Sequence, residues 1–575
     1  MAKRRFQEAR APLATLLLNL TLLLALIFMG IGCSSVPSDP RGLQILKAAP
    51  PRPTTFVSGC SEVSAQPALQ SGDVLQHYDD AVATLLDETT QHPSSNAQGE
   101  VVWGTRYYLE SLLVAYEATG NLKYINSFIQ SGTTVLGIKQ TVQVPDVIDP
   151  SVLEAEPAVS VSQRIATGWP TSKGMLGHFI KVPAANGKIS LYAQTLWPGP
   201  SSDTDYLRIS QSSSGDLVLS FELNGTVWQS YSVSSEDDLD FISAQPLIYG
   251  GTLGRIRNRG AGLPIPGLYP LNSPLSSIWH AEQTAGILLP FLRFLLLAKQ
   301  QPWIADPKLV ADWRDQVVSV AKSYEDEYVD DGSGGLILNT ALWMPSPWAG
   351  LPVATDYINA EISMRMLLGV LTSDPHELSL ARGLLTHEST NLPLSSTGWL
   401  LMESEPDDAP SHLVAGDLDN IAGSIWGSTL GLLSFDNIAP ETTAEGGFFV
   451  ETLQIASDLG LGREIGLTEA LCEGERQTFR QYLRLPSSVS GSLIRMFYPT
   501  SQSQTSDPPI LSDLPIDAAR YLQPVTEDSS FVCDYWNWIL KNGITREQGV
   551  GHVLLDWARA EAEWRRLPPG QCTSQ

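Results

Sequence analysis

The stretch VVWGTRYYLESLLVAYEATGNLKYINSFIQSGTTVLG, Val101 to Gly137, decides how the chain is built. Apolar and aromatic residues recur at Trp103, Tyr107, Leu109, Leu112, Leu113 and Tyr116, then at Leu122, Ile125, Phe128, Ile129, Val135 and Leu136. That is the three-and-four spacing of an amphipathic helix, written twice. Between the runs stands Thr119-Gly120-Asn121, where glycine can take the left-handed conformation that ends a helix. The stretch therefore predicts a helix hairpin with a tight turn. Neither helix buries its stripe alone, so the unit has to stack against others like it.

The rest of the chain supplies such partners. Helical periodicity is predicted over 74–86, 279–299, 307–328, 354–371, 376–390, 417–433, 445–459, 464–483, 516–523, 530–541 and 548–565, and over a short run at 172–182. The segment Ile287 to Ala298 is apolar on nearly every face and reads as a buried helix, too short to span a bilayer. Very apolar helices alternate with amphipathic ones, the pattern of an inner and an outer layer. Residues 141–170 read as irregular, 250–274 as a Gly/Pro-rich loop, and 486–515 as a long Ser/Pro/Gln loop.

Between 187 and 233 the period changes to two. Leu217, Leu219, Phe221 and Leu223 alternate with polar or smaller residues, and Asn224-Gly225 is a strong hairpin signal. A two-residue turn there sets Phe221 opposite Trp228. A small antiparallel sheet is thus predicted inside a helical body spanning 73–566, with a tail at 567–575. It reads as a wall of a cleft or as an insertion without function.

With 575 residues and 43% hydrophobic composition the chain can bury a large core. Its net charge of −26 argues against a nucleic-acid partner, since phosphate binding needs clustered positive charge. The N-terminus reads as an address. A basic head (MAKRRFQEAR) precedes an apolar run from Ala11 to Ile31, then Gly32-Cys33-Ser34-Ser35. This resembles a bacterial lipoprotein signal in which Cys33 is acylated, and an uncleaved membrane anchor is the alternative. Either reading puts the body outside the cytoplasm, tethered at the membrane through residues 1–33, with 34–72 as a proline-rich linker. Four cysteines remain: Cys60, Cys472, Cys533 and Cys572. Their positions suggest Cys60 with Cys572, closing the termini, and Cys472 with Cys533; free buried thiols are the alternative.

Short motifs carry a resemblance. Trp103-Gly104 with Tyr116-Glu117-Ala118-Thr119-Gly120-Asn121 and Lys123-Tyr124, Leu351-Pro352 with Asp356-Tyr357-Ile358-Asn359-Ala360-Glu361-Ile362, and His280-Ala281-Glu282-Gln283 resemble the (α/α) toroid superfamily. Its members include six-hairpin glycosidases, polysaccharide lyases and the C-terminal domain of glucuronyl C5-epimerases. The resemblance implies an (α/α)6-type toroid of helix hairpins acting on polysaccharide, with the groove at the N-termini of the inner helices. Helix N-termini also present unpaired N–H groups and a positive dipole.

Residues at or near such N-termini are the site candidates. For proton removal beside a carboxylate, a site needs a base, an acid and a cation. His280 and Tyr357 can serve as base and acid, and Arg255, Arg257 and Arg259 of GRIRNRG, spaced by two along one side of an extended segment, can hold an acidic glycan. Arg106 lies near the same ends. For glycoside hydrolysis two carboxylates must flank the bond; Glu282, Asp356, Glu361 and Asp417 qualify. Trp103 and Trp279 can stack sugar rings or belong to the core, and Asp356 and Asp417 can equally be helix caps. The expected activity is a lyase or C5-epimerase acting on a uronate-containing glycan. A glycoside hydrolase, or a silent carbohydrate-binding envelope lipoprotein, is the alternative. No cofactor or metal is expected: no Walker loop, dinucleotide fingerprint or zinc motif occurs, and Asp330-Asp331-Gly332-Ser333-Gly334-Gly335 lacks the later glutamate of a calcium loop and reads as a turn.

Overall fold

The hairpin at 101–137 forms as its spacing requires. A π-helical turn, Val101–Thr105, runs into α3 (Arg106–Thr119), and α4 follows at Leu122–Gly137. Gly120 ends α3 at φ +66°, its N–H donating to the Tyr116 carbonyl, and the Asn121 side chain accepts from Lys123 N to start α4. One residue closes a helix and the next opens another, which is why the turn is so tight. Helix α3 is buried on every side but the one carrying Val114 and Glu117, whereas α4 buries one stripe through Tyr124, Ile125, Phe128, Val135 and Leu136.

The computed structural model describes residues 56–60, 73–97, 99–145, 163–171, 179–195, 206–223, 225–243, 254–270, 281–338, 355–391, 443–485, 493–494, 518–522, 528–542, 549–568 and 571–572. Cys33, Trp279, His280, Asp417 and the helix expected at 417–433 lie outside them. The described chain is mainly helical, with small antiparallel sheets. Ahead of the hairpin come α1 (Gln76–Leu85) and α2 (Glu88–Gln91); after the sheets come α6 (Ala281–Gln300), α7 (Pro307–Ala321), α8 (Thr355–Thr372), α9 (Pro375–Asn391), α10 (Thr443–Leu459), α11 (Gly462–Ile465), α12 (Glu469–Gln477), α13 (Ser529–Asn542) and α14 (Val550–Arg566). Short 3-10 segments occupy Lys322–Glu327 and Ala518–Leu522.

Packing follows the alternation in hydropathy. Helix α3 packs on α14 and α6, α6 on α8, α8 on α10, and the 518–522 segment on both α10 and α14. The amphipathic partners lie against these: α4 on α3, α7 on α6, α9 on α8 and α13 on α14. The run at 287–298 is buried as expected, with Phe291 and Phe294 meeting Phe128 of α4 and Trp313 of α7. None of the described helices is long and apolar enough to cross a membrane.

The β region is larger than its sequence signal. Strands β3 (Phe179–Pro183), β4 (Ile189–Thr195) and β8 (Gly254–Asn258) form one sheet; β7 (Thr226–Val233), β6 (Leu217–Leu223), β5 (Tyr206–Gln211) and β9 (Gly267–Pro270) form another, in that order. With α5 (Glu236–Ser243) they enclose a hydrophobic cluster of their own, including Leu191, Leu207, Leu219, Phe221 and Leu239. Three expectations are corrected here. Residues 179–182, expected as the end of a helix, are a strand: the apolar positions of this short run fit either period, and pairing with β4 decides. Part of the stretch expected to be irregular is an antiparallel pair, β1 (Gln140–Pro145) with β2 (Gln163–Gly168). The loop expected at 250–274 contains β8 and β9.

The hairpin at Gly225 is present, but its register differs. Leu223 pairs with Thr226 and Glu222 with Val227, then Phe221 pairs with Gln229. Trp228 is thus the extra residue of a β-bulge rather than the partner of Phe221, a shift that an ideal two-residue turn does not anticipate.

The disulfide pairing is also corrected. Cys60 bonds Cys472 and Cys533 bonds Cys572, with Cα–Cα distances of 5.1 and 5.2 Å. Residues 56–60 reach Cys472 because they are already docked there: Phe56 bridges Thr468, Val57 N donates to Leu467 O, and Cys60 N donates to Ser457 Oγ at 2.8 Å. The second bridge ties α13 to the segment after α14.

Candidate functional site

The N-terminal parts of several central helices meet around Arg106. This residue opens α3, directly after the π-helical turn, and is 4% exposed. Its guanidinium stacks over the rings of Tyr107 (4.3 Å) and Phe448 of α10 (4.9 Å), and Nη2 donates to Tyr107 Oη at 2.9 Å. A β-carbon on Gly286 of α6 would overlap Arg106 Nη1, so only glycine lets α6 pass at this level. Arg520 also lies over this aromatic pair, 3.8 Å from the Phe448 ring and 5.3 Å from that of Tyr107. His552, in the first turn of α14, stacks on Tyr107 with ring centroids 3.7 Å apart. The neighbouring Gly551 permits this approach, since a β-carbon there would overlap the Gly104 carbonyl. Trp103 is half-buried and packs on the helical core beside this contact. One level thus gathers two guanidinium groups, a phenol and an imidazole.

One turn deeper lies a charged cluster. Arg559 of α14 binds Glu110 of α3 and, at 3.0 Å, Glu451 of α10. Arg293 of α6 reaches Glu110 at 3.6 Å and Glu117 at 2.9 Å, and Arg520 reaches Glu451 at 3.5 Å. Burial and the adjacent Glu451 charge push the Glu110 carboxyl up to about 7, against the opposing pull of Arg559. Burial also disfavours ionised Glu451, but Arg559 and Arg520 outweigh it and hold that carboxyl below its usual range. The pair keeps one proton across the mildly acidic range.

This sets a pH dependence of stability. Glu110 binds its proton more tightly folded than unfolded, so its contribution favours folding below pH 4.5 and declines as pH rises towards 7. Glu451 acts oppositely, its contribution lost as pH falls below 4.5. The unfolding midpoint should therefore be higher near pH 5 than near pH 8, the Glu110 part on the order of 3 kcal/mol. Glu110→Gln should flatten that slope; an unchanged slope would show that the proton sits elsewhere.

The other sequence candidates are placed as follows. Glu361 is 1% exposed on α8, bonded to Arg365 Nε at 3.1 Å and to the Tyr328 hydroxyl, and faces the contact with α9 and the 322–327 segment. Glu282 lies in the first turn of α6, and Asp356 and Tyr357 in the first turn of α8, so each stands at the start of its own helix, as Arg106 does in α3. Arg255 and Arg257 flank Ile256 in β8, their backbones paired with Gln194 and Tyr192 of β4, and Arg259 N continues the pairing by donating to Ser190 O at 2.8 Å. These arginines belong to the β region with its separate core. The Asp330–Gly335 segment is a turn between β10 (Tyr328–Asp330) and β11 (Leu336–Leu338), closed by Ser333 N and Gly335 N donating to Asp331 Oδ1. No group of three or more metal-ligating side chains occurs among the described residues.

Sequence reading missed His552, Arg520, Arg559, Glu110 and Glu451. Glu110 and Arg559 stand 449 positions apart, and no local spacing announces such a pair. One signal was legible: Gly551-His552 heads a strongly periodic run, as Trp103-Gly104 does. No protein-family model, curated protein or solved structure matches this chain.

Proposed function

We propose that this chain is an extracytoplasmic, membrane-tethered (α/α) toroid that acts on a uronate-containing polysaccharide by removing the proton beside the carboxylate. That step is common to lyases and C5-epimerases. The succession of packed helices, α14 to α3, α6, α8, α10, the 518–522 segment and back to α14, supports the toroid. Two disulfides support an oxidising compartment, consistent with lipid attachment at Cys33.

The observation that carries the chemistry is the gathering of Arg106, Tyr107 and His552 at one level of the helical core. Proton abstraction next to a carboxylate builds negative charge on that carboxylate. A guanidinium stabilises it, and a phenol–imidazole pair offers the acid and the base. Glu110 and Glu451 fit glycoside hydrolysis less well. They contact one another and share Arg559, whereas glycosidase carboxyls stand about 5 Å or more apart to admit the sugar.

Incubation of the protein in D2O with a panel of uronate polysaccharides tests the reading. The expected result is deuterium at the uronate C5 where the carbanion is reprotonated, or absorbance at about 235 nm where it eliminates and C5 becomes part of a double bond. His552→Ala and Tyr107→Phe should abolish both signals. Neither signal on any polysaccharide of the panel would overturn proton abstraction, and glycan binding without it would leave a binding protein.

A further inference from the structure

We infer that the chain rests on the bilayer that tethers it through the C-terminal ends of its central helices, with Trp303 entering the lipid headgroups, so that the candidate site opens away from the membrane. This rests on the proposed membrane tether and is independent of the proposed chemistry.

Helix polarity gives the helical body two distinct ends. Gly286 near the start of α6 and Phe448 near the start of α10 both meet Arg106 at the start of α3. At the other end the Tyr116 hydroxyl, in the last turn of α3, donates to Gln301 Oε1, just past α6, at 2.6 Å. Lys299 Nζ in the last turn of α6 lies 3.5 Å from the Val370 carbonyl in the last turn of α8. These helices therefore start together at the site and end together away from it. From Gly286 to Gln300 the axis of α6 advances roughly 20 Å, which sets the height of the site above the far end.

The tether is fastened at that far end. Gly462 N, just after α10, donates to Ser58 O at 3.1 Å, and Cys60 N donates to Ser457 Oγ in the last turn of α10 at 2.8 Å. The Cys60–Cys472 bridge makes this docking covalent. An anchor at residues 1–33 is thus delivered to the ends of the helices and not to their starts. The stretch from Cys33 to Phe56 reaches at most roughly 80 Å, so a further contact has to hold the body against the surface.

The turn between α6 and α7 supplies that contact. Trp303 is 71% exposed there, and Leu122, 44% exposed, stands in the turn between α3 and α4 that the Tyr116–Gln301 bond brings alongside. Exposed Lys299 and Lys308 flank Trp303 in the sequence. Nearby acids are engaged: Glu117 by Arg293, Asp79 by Lys123, Asp374 by Lys322, while Asp306 accepts from Lys308 N. In a chain of net charge −26 this end can approach an anionic surface. Tryptophan settles at the headgroup level, where its ring meets hydrocarbon and its N–H meets water. One projecting tryptophan is far less than the roughly 800 Å² per partner of a stable protein interface, but it suffices as an interfacial anchor.

The test places the full-length chain, with its anchor, on vesicles of phosphatidylethanolamine and phosphatidylglycerol with brominated acyl chains. Gln300→Cys marks the far end and Ala97→Cys the site end; both positions are exposed, and the unsubstituted chain is the labelling blank. A fluorophore at Gln300→Cys should lose most of its emission to bromine, and one at Ala97→Cys should lose none. Adding Trp303→Ser to Gln300→Cys should restore the emission while the chain still floats with the vesicles. Quenching at Ala97→Cys, no quenching at either position, or quenching indifferent to Trp303→Ser overturns the inference and leaves the tether standing. A chain that does not float removes the tether and the inference together. A blue shift at Gln300→Cys without bromine quenching would put a second copy of the chain on this face and overturn the inference as well. None of these readouts depends on glycan turnover.

Discussion

Replacing Arg559 by methionine should destabilise the protein by about 3–5 kcal/mol at neutral pH, the range for breaking a buried ion pair from one side. Methionine preserves much of the volume, so the loss comes from charge. Glu110 and Glu451, both buried, lose the cation they share. Arg520 still compensates Glu451, and Arg293 is 3.6 Å from Glu110, so the cluster is weakened rather than stripped. The loss should grow between pH 5 and pH 8, because the missing guanidinium matters most when both carboxyls are asked to ionise. A double variant, Arg559→Met with Glu110→Gln, should recover part of the deficit by removing the orphaned charge. Chemical denaturation of the four species at two pH values checks this. A deficit below about 1 kcal/mol, or a double variant no better than the sum of the singles, would mean that Arg559 is not the counter-ion the geometry makes it.

The charge cluster also shows where a sequence stops being readable. Local order was legible because it is set by neighbours. The spacing in 101–137 and the Gly120-Asn121 caps define α3 and α4, and most other helix bounds fall within a few residues of their periodic runs. Where a short apolar run fits both periods, as at 179–182, the deciding partner is a distant strand. Disulfide connectivity was likewise undetermined: four cysteines allow three pairings, and the choice follows from residues 56–60 docking beside Thr468. At the site, Arg106 and Trp103 were identifiable from their place at a helix start. The groups that give Arg106 its setting come from α6, α10, α14 and the 518–522 segment. Only the packing of those elements brings them together. Glu361 was the instructive case, because its structural partner stood four residues away, at the spacing of a helical ion pair.

That partner supplies the second large effect. Arg365 is fully buried on α8, and each part of its guanidinium is engaged. Nη1 bonds Glu377 at 2.7 Å and lies 3.5 Å from Glu325; Nε reaches Tyr328 Oη at 2.7 Å and Glu361 at 3.1 Å; Nη2 donates to the Ala321 carbonyl at 3.1 Å. It joins α8 to α9 through Glu377, and to the end of α7 and the strand that follows through Ala321 and Tyr328. Arg365→Met should therefore cost about 3–5 kcal/mol, leaving Glu361 and Glu377 as buried carboxylates. Lys322, 3.7 Å from Glu377, compensates only one of them. Glu361→Gln is the diagnostic companion. If Glu361 serves this joint, the amide should lower the unfolding midpoint and leave the proposed glycan turnover per folded molecule unchanged. If Glu361 instead acts on substrate, the amide should abolish turnover with the midpoint intact. The geometry predicts the first outcome, since Glu361 bonds Arg365 and Tyr328 in the joint with the outer helices and not in the level occupied by Arg106.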